Sequence, residues 1–174
     1  MLLITIFFFL VLYTLNEWLF RSFEFGPGIN LIYLPAGARL LCVLLFAETG
    51  AVGLLIVSWL INFLVLFPDE PVRAFAGGIV AAVAPYLAYL ADRRLFGLRP
   101  TLANLSSRRL LACVLFYSIA SPVLHHLWFA LHGDPLSLWG LAAMSVGDCL
   151  GALIVVYCGR LILRIYTAWA HRPR

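Results

Sequence analysis

The stretch SVGDCLGALIVVYCGRLIL, residues 145–163, places one carboxylate, Asp148, in a largely apolar run whose only other charged residue is Arg160. With the apolar residues before it, the run reaches the roughly 20 residues that a helix needs to cross a bilayer. Asp148 lies about ten residues into this span and therefore about 15 Å deep, near the midplane. A lone charge there costs at least about 2.5 kcal/mol, so we expect Asp148 to face other helices and to be protonated or paired.

The composition of the whole chain indicates a polytopic membrane protein. Of its 174 residues, 64% are hydrophobic and 11% charged, and the mean hydropathy is +1.01. Soluble domains are usually about half apolar and about a quarter charged. All twelve basic residues are arginines at or near the ends of apolar runs, apart from Arg39, so the formal charge of +4 does not indicate a nucleic-acid-binding patch. We predict an all-α, polytopic transmembrane helical bundle.

The apolar runs and their interruptions predict a single integral membrane domain, residues 1–174. The N-terminal run lacks a basic start and a small-residue cleavage site, so we interpret it as a retained span rather than a signal peptide. The second span is short and begins with Pro35 and Gly37, which makes a broken or re-entrant helix an alternative there. The six predicted spans lie at about 2–20, 31–46, 50–67, 72–91, 110–131 and 138–163.

The distribution of arginines predicts the orientation of the bundle. The segment 92–109 holds five arginines, and the tail from Arg160 holds four. The turns PDEP (68–71) and HGDP (132–135) carry acids and no arginine. Because cytoplasmic loops are enriched in basic residues, we expect six spans with both termini in the cytoplasm.

Three polar residues inside the predicted spans are candidates for ligand binding or ion pairing. Arg39 lies midway along the second span, at a depth similar to that of Asp148, and we expect the two to form a buried ion pair if their helices touch. Such a pair either locks the helices in register or takes part in ligand binding. Asn62 is expected to form an interhelical hydrogen bond, and the small pair Gly147 and Gly151 to let another helix approach closely.

Metal sites and catalytic motifs have little support in the sequence. His125, His126 and His132 are weak candidates for metal ligation, because no second ligand cluster accompanies them. The four cysteines form no CxxC pair, and no nucleophile motif, phosphate-binding loop or zinc-protease motif is present. We therefore expect no metal and no catalytic residues, and the sequence identifies no cofactor.

Three stretches together carry a resemblance to a known family: YLPAGARLLCVLLF (33–46), GAVGLLIVSWLINF (50–63) and SVGDCLGALIVVYCGRLIL (145–163). In this order, over about residues 29–165, the chain resembles the membrane-associated sensor domains of the MASE type. There the membrane bundle usually precedes a histidine kinase or diguanylate cyclase domain, and these 174 residues include no such output domain. The resemblance implicates Pro35, Gly37, Asn62, Gly147, Asp148 and Gly151.

The sequence thus predicts a non-enzymatic, sensor-like bundle in the bacterial inner membrane. It would bind a small ligand or a protein partner within the membrane, with any output supplied by another subunit. The partner, or a second copy, would dock through the membrane helices or the loop 92–109. The alternatives are a substrate-binding subunit like those of energy-coupling-factor vitamin transporters, a structural or assembly subunit of a membrane complex, and a small lipid-modifying enzyme.

Overall fold

The computed structural model describes residues 1–26, 29–95, 97–99, 102 and 104–170. Within them the regular secondary structure is helical except for one short β-hairpin, which confirms the predicted all-helical class. A 3₁₀ turn (Arg21–Phe23) follows the first helix, and a π-helical turn (Asn62–Leu66) follows the second. The main elements are α1 (Leu2–Phe20), β1 (Glu24–Gly26), β2 (Ile29–Asn30), α2 (Leu34–Ile61), α3 (Pro71–Leu95), α4 (Ser107–Leu131) and α5 (Leu138–Ala170).

All five of these described helices are long and apolar enough to cross a membrane. Their outward faces carry large exposed apolar side chains, including Phe7, Ile119 and Tyr157. A soluble protein of this size rarely exposes so many such side chains. These features together indicate a multi-pass membrane protein.

The long helix α2 reverses direction at Ala47. Ala47 has φ 46° and ψ −122°, so α2 consists of two helical arms, α2a (34–46) and α2b (48–61). A straight 28-residue helix would extend about 42 Å. Instead, Tyr33 and Leu66 line one cavity, and the Cys42 carbonyl packs against Gly50, where a Cβ atom would collide with it. The arms therefore lie side by side, in the regions predicted as the second and third spans.

Two ends of the bundle can be distinguished by the segments that meet there. The β-hairpin end contains residues 21–26, 29–34, 62–73 and 131–138, and a 2.9 Å ion pair between Arg73 and Asp134 joins α3 to the α4–α5 connection. The Arg-rich end contains the α2 reversal, the described residues of 92–109 and the end of α5. There Tyr86 donates a hydrogen bond to Glu48, and Arg160 donates one to Ser107.

The chain between β2 and α2 crosses α5 at two glycines. The Tyr33 amide donates a 3.1 Å hydrogen bond to the Gly147 carbonyl. The carbonyls of Asn30 and Tyr33 pack directly on Gly147 and Gly151, where a Cβ atom would collide with them. The predicted small-residue surface of α5 is thus covered by extended backbone at these two positions, and helix α2a packs on α5 farther along, where Gly37 contacts Val155.

At the start of helix α2, the first backbone amide donates a hydrogen bond to a side chain of α1. The Asn16 carboxamide oxygen, on a completely buried residue, accepts a 2.8 Å hydrogen bond from the Leu34 amide. Pro35 occupies the first turn of the helix, where its missing N–H leaves no donor unsatisfied. This arrangement fixes the start of α2a, and with it the position of Arg39 five residues after Leu34.

Candidate functional site

Arg39 and Asp148 are both buried in the interior of the bundle. Arg39 comes from α2a and is 7% exposed, while Asp148 comes from α5 and is 1% exposed. Two residues of α4, Tyr117 and Ser121, lie beside them: Tyr117 close to the Arg39 guanidinium and Ser121 close to the Asp148 carboxylate. The sequence predicts similar depths for these two charges and a buried ion pair if their helices touch, and the charges do lie near each other in the bundle.

The two charges do not form a direct ion pair. No guanidinium nitrogen of Arg39 lies within 4.0 Å of an oxygen of Asp148, although the groups are close enough to attract each other through space. Both carboxylate oxygens of Asp148 and the hydroxyls of Tyr117 and Ser121 are buried without a hydrogen-bond partner. These neighbouring groups therefore lie close together outside hydrogen-bonding geometry, and each keeps unused hydrogen-bonding capacity.

The guanidinium of Arg39 lies against two aromatic rings. Its central carbon is 5.4 Å from the ring centroid of Phe9 and 5.4 Å from that of Tyr33. A cation within about 6 Å of an aromatic face is attracted by the ring quadrupole. These contacts offset part of the cost of burying the charge, and they do so without occupying any N–H donor.

An inner cavity of about 40 Å³ borders the Arg39 guanidinium. The Nε atom of Arg39 is enclosed and has no acceptor. The terminal nitrogens keep accessible surface, and the Tyr117 hydroxyl beside them lies outside hydrogen-bonding geometry. Since a single water needs about 10–15 Å³ of cavity volume, a cavity of this size can hold a few atoms of a polar group. The polar residues lining it are Tyr33, Arg39, Asn62, Arg73 and His125.

His125 is held in one tautomer by the backbone of its own helix. Its Nδ1 lies 2.8 Å from the carbonyl oxygen of Ser121. A carbonyl can only accept, so Nδ1 carries the proton and Nε2 is the remaining ring acceptor when the ring is neutral. His126 makes the same contact with the Pro122 carbonyl at 3.0 Å. The cavity therefore combines the donors of Arg39 with a residue, His125, that has one ring nitrogen free.

Asn62 lines the same cavity from the start of the π-helical turn. Its Nδ2 donates a 3.0 Å hydrogen bond to the Ala74 carbonyl of α3, as expected for an interhelical contact. Gly77 makes room for this amide, because a Cβ atom there would lie 2.9 Å from Nδ2. Asn62 thus joins α2b to α3 beside the cavity.

A larger cavity of about 390 Å³, the mouth cavity, opens at the β-hairpin end. It shares five lining residues with the inner cavity, so the two are adjacent; they are Ile29, Leu66, Phe67, Arg73 and Phe129. Two acids, Glu70 and Asp134, line the mouth cavity but not the inner cavity. The inner cavity is therefore reached from the β-hairpin end.

Arg73 lies at the junction of the two cavities. Its guanidinium forms ion pairs with Glu70 at 3.1 Å and Asp134 at 2.9 Å. The central carbon also lies 5.1 Å from the Phe67 ring centroid and 4.8 Å from that of Phe129. In contrast to Arg39, Arg73 is already neutralised by two carboxylates.

The other candidate residues from the sequence analysis do not line the inner cavity. His132 is exposed and its Nδ1 contacts the Trp128 carbonyl at 2.9 Å. Among the described residues, no group of three or more His, Cys, Asp or Glu side chains is arranged to hold a metal ion. His126 lines the mouth cavity. Pro35 lies in the first turn of α2 and Gly37 contacts α5, whereas Gly147 and Gly151 pack against the extended backbone before α2.

Sequence reasoning missed the contribution of α4 to the site. Tyr117, Ser121 and His125 recur every four residues, so they lie along one face of the helix. A row of polar residues at this spacing in an apolar span is a signal that is present in the sequence. Arg73 was also missed, because the adjacent PDEP turn is most conspicuous for its acids.

Comparison with protein-family models, curated proteins and solved structures finds no match to this chain. The resemblance to MASE-type sensor domains therefore stays a prediction from the sequence. The features that bear on a function are the buried polar groups around Arg39, namely Asp148, Tyr117 and Ser121, and the two adjacent cavities.

Proposed function

We propose that this chain crosses the membrane six times, counting α2a and α2b as separate passes, with both termini in the cytoplasm of a bacterial cell. The even number of passes is supported by contacts of the chain's first helix: Gly53, soon after the α2 reversal, packs against Thr5 and the Leu2 carbonyl. The beginning of α1 therefore lies at the Arg-rich end, as does the end of α5. The arginines of 92–109 favour the cytoplasm for that end.

The function that the geometry supports best is non-enzymatic binding of a small polar ligand inside the bundle, as in a sensor. The single observation that carries this proposal is the state of Arg39. A buried guanidinium borders a cavity reached from the outer, β-hairpin end, and neither the Tyr117 hydroxyl nor the Asp148 carboxylate beside it lies in hydrogen-bonding geometry with its donors. Buried charges of purely structural importance are normally paired and hydrogen-bonded, because an unpaired one costs several kcal/mol.

The proposal is tested by identifying small molecules that co-purify with the protein. The chain is purified in lipid nanodiscs, and the compounds released on denaturation are identified by mass spectrometry. We expect one class of compound at a stoichiometric amount in the native protein and in the Arg108→Gln control, which removes an exposed arginine of the Arg-rich end. An Arg39→Gln preparation should lack it. An identical set of released compounds in all three preparations would contradict the proposal.

A second candidate is the substrate-binding subunit of a small-molecule transporter. The observation that favours it is the 390 Å³ mouth cavity at the proposed outer end, where a substrate would be captured. A transporter subunit must support uptake of the released compound into cells that also contain a partner ATPase. A sensor would bind the compound without uptake and would co-purify with a signalling partner, for which the 92–109 segment and the membrane helices are the available surfaces.

A further inference from the structure

We propose that the ligand of the inner cavity carries an oxyanion, a carboxylate or a phosphate group, and that this group binds the terminal nitrogens of Arg39. The inference rests on the proposed function, since it concerns the same cavity. It adds the chemical class of the ligand and the residue that selects it.

The geometry of Arg39 leaves one edge of the guanidinium for a ligand. The rings of Phe9 and Tyr33 lie near the group, and Nε is enclosed by protein. The terminal nitrogens alone keep accessible surface, and the Tyr117 hydroxyl beside them lies outside hydrogen-bonding geometry. Two N–H groups in a planar fork match the two oxygens of a carboxylate or phosphate, which is the pairing that arginine forms best.

The charges around the inner cavity favour an anion over a cation. None of the described residues that line it is acidic, whereas two of them, Arg39 and Arg73, are basic. Arg73 is already paired with Glu70 and Asp134, so Arg39 is the cation with free donors. Asp148 is 1% exposed and does not line the cavity, so it attracts Arg39 without occupying the ligand's position.

The sizes of the two cavities limit the shape of the ligand. The inner cavity, at about 40 Å³, accommodates an acidic group and little else. The remainder of the molecule would extend past Arg73 into the mouth cavity, where Leu66, Phe67 and Phe129 offer apolar surface. A small organic acid with one apolar portion fits this pair of cavities, and so does the phosphate of a lipid head group.

The experiment compares acids with amides of the same shape. Protein in detergent is titrated with sodium benzoate or sodium acetate, and with benzamide or acetamide at equal ionic strength, and the thermal unfolding midpoint is followed by tryptophan fluorescence. We expect the midpoint to rise with at least one acid and not with its amide. Arg39→Lys should need about tenfold more acid, or more, for the same rise in the unfolding midpoint, because the lysine lacks the planar fork. Arg108→Gln should respond like the native protein.

A charge-balanced variant covers the case in which single substitutions fail to fold. Arg39→Gln combined with Asp148→Asn removes both buried charges together, so no uncompensated charge is left inside the bundle. We expect this double variant to fold and to respond equally to acid and amide. A response to the acid as large as that of the native protein would overturn the inference.

The source of the oxyanion is distinguished by lipid composition. Native protein freed of phospholipid in a nonionic detergent is titrated with benzoate before and after the addition of phosphatidylcholine, which carries a phosphate and no net charge. A free acid as ligand predicts the same benzoate affinity in both samples, and a lipid phosphate predicts weaker benzoate binding when phosphatidylcholine is present. Either result supports an oxyanion site at Arg39, provided that the double variant loses it.

The outcomes separate this inference from the proposed function. Equal responses to acid and amide in the native protein, including no response to either, overturn the oxyanion inference. The proposed function survives that result if a neutral compound co-purifies with the native protein in an Arg39-dependent manner. It fails only if no compound does so.

Discussion

Replacing Gly147 by alanine tests how closely the extended chain before α2 packs on α5. A Cβ atom at this position would collide with the carbonyl of Asn30. The obstacle is backbone rather than the end of a flexible side chain, and the same segment is hydrogen-bonded to Gly147 through the Tyr33 amide. It cannot move away without shifting the start of α2a and therefore Arg39.

The magnitude of the effect is set by two opposing contributions. Alanine in a helix interior is favoured over glycine by about 1 kcal/mol. Forcing an extra carbon into a packed interior costs about 1–3 kcal/mol, and we expect the upper part of that range because backbone must move. The free energy of unfolding of Gly147→Ala should therefore fall by about 1–2 kcal/mol, and Gly151→Ala should behave similarly because its Cβ would meet the Tyr33 carbonyl.

Helix α5 also supplies the matched control. A Cβ atom at Gly159 would meet nothing within 4 Å, so Gly159→Ala should keep or raise the stability. Unfolding by titration of SDS into detergent-solubilised protein, followed by the fluorescence of the five tryptophans, measures all three variants. If Gly147→Ala and Gly159→Ala agree within about 0.5 kcal/mol, the close packing at Gly147 is refuted.

Three other predictions concern single polar groups. Asn16→Ala leaves the first amide of α2 buried without a partner and should lower the unfolding free energy by about 1–3 kcal/mol in the same titration, whereas no change would argue against the cap. Asp134→Asn breaks a part-exposed ion pair with Arg73 and should lower the unfolding free energy by less than about 1 kcal/mol. Because it removes a negative charge from the mouth cavity, it should tighten benzoate binding, and weaker binding would contradict the proposed preference of the cavities for an anion. Tyr117→Phe removes a buried hydroxyl without a partner and should leave stability unchanged or higher, so a clear loss would reveal a hydrogen bond that the structure lacks.

Hydropathy predicts where the helices lie but does not always predict where they begin or end. The predicted first span, 2–20, coincides with α1, because apolar residues fill most of it. Helix α4 begins at Ser107, three residues before the predicted start at 110, because the Ser106 hydroxyl accepts a hydrogen bond from the Arg109 amide. Capping of this kind depends on polar residues that a hydropathy window counts against a helix.

The β-hairpin was not predicted from the sequence. Its strands have only three and two residues, Glu24–Gly26 and Ile29–Asn30, which is too short for an alternating pattern to be visible. The strands are positioned by tertiary contact, since the carbonyl of Asn30 packs on Gly147 of α5. No local signal encodes a contact between residues so far apart in the chain.

Asp92 shows how sequence neighbours can mislead. Charge counting places it in the Arg-rich cytoplasmic loop, because arginines follow it directly. In the structure Asp92 belongs to the last turn of α3 and is 1% exposed, beside Cys113 of α4, with both carboxylate oxygens unpartnered. Arg93 and Arg94 are exposed one and two residues later. Successive residues of a helix face different directions, so burial can change from one residue to the next. A count of charges along the sequence does not contain this information.

For the site itself, depth could be predicted and direction could not. Residue counting places Arg39 and Asp148 at similar depths in two different spans, and they do lie near each other. Their contacts with α4 depend on how each helix is rotated about its axis, which is determined by packing. The 3.6-residue periodicity could have grouped Tyr117, Ser121 and His125, but it could not have shown which neighbours they face.

The separation between Arg39 and Asp148 is itself informative. Direct contact would use the donors and acceptors of both groups, and it would lower the cost of burying two charges. The bundle instead places Tyr117 and Ser121 beside them, outside hydrogen-bonding geometry, and leaves the terminal nitrogens of Arg39 facing a cavity. An apolar pair of similar volume would pack there at lower cost if stability alone mattered. Because a stable but less favourable arrangement is typical of binding sites, the unused donors of Arg39 are better explained by a ligand than by the fold.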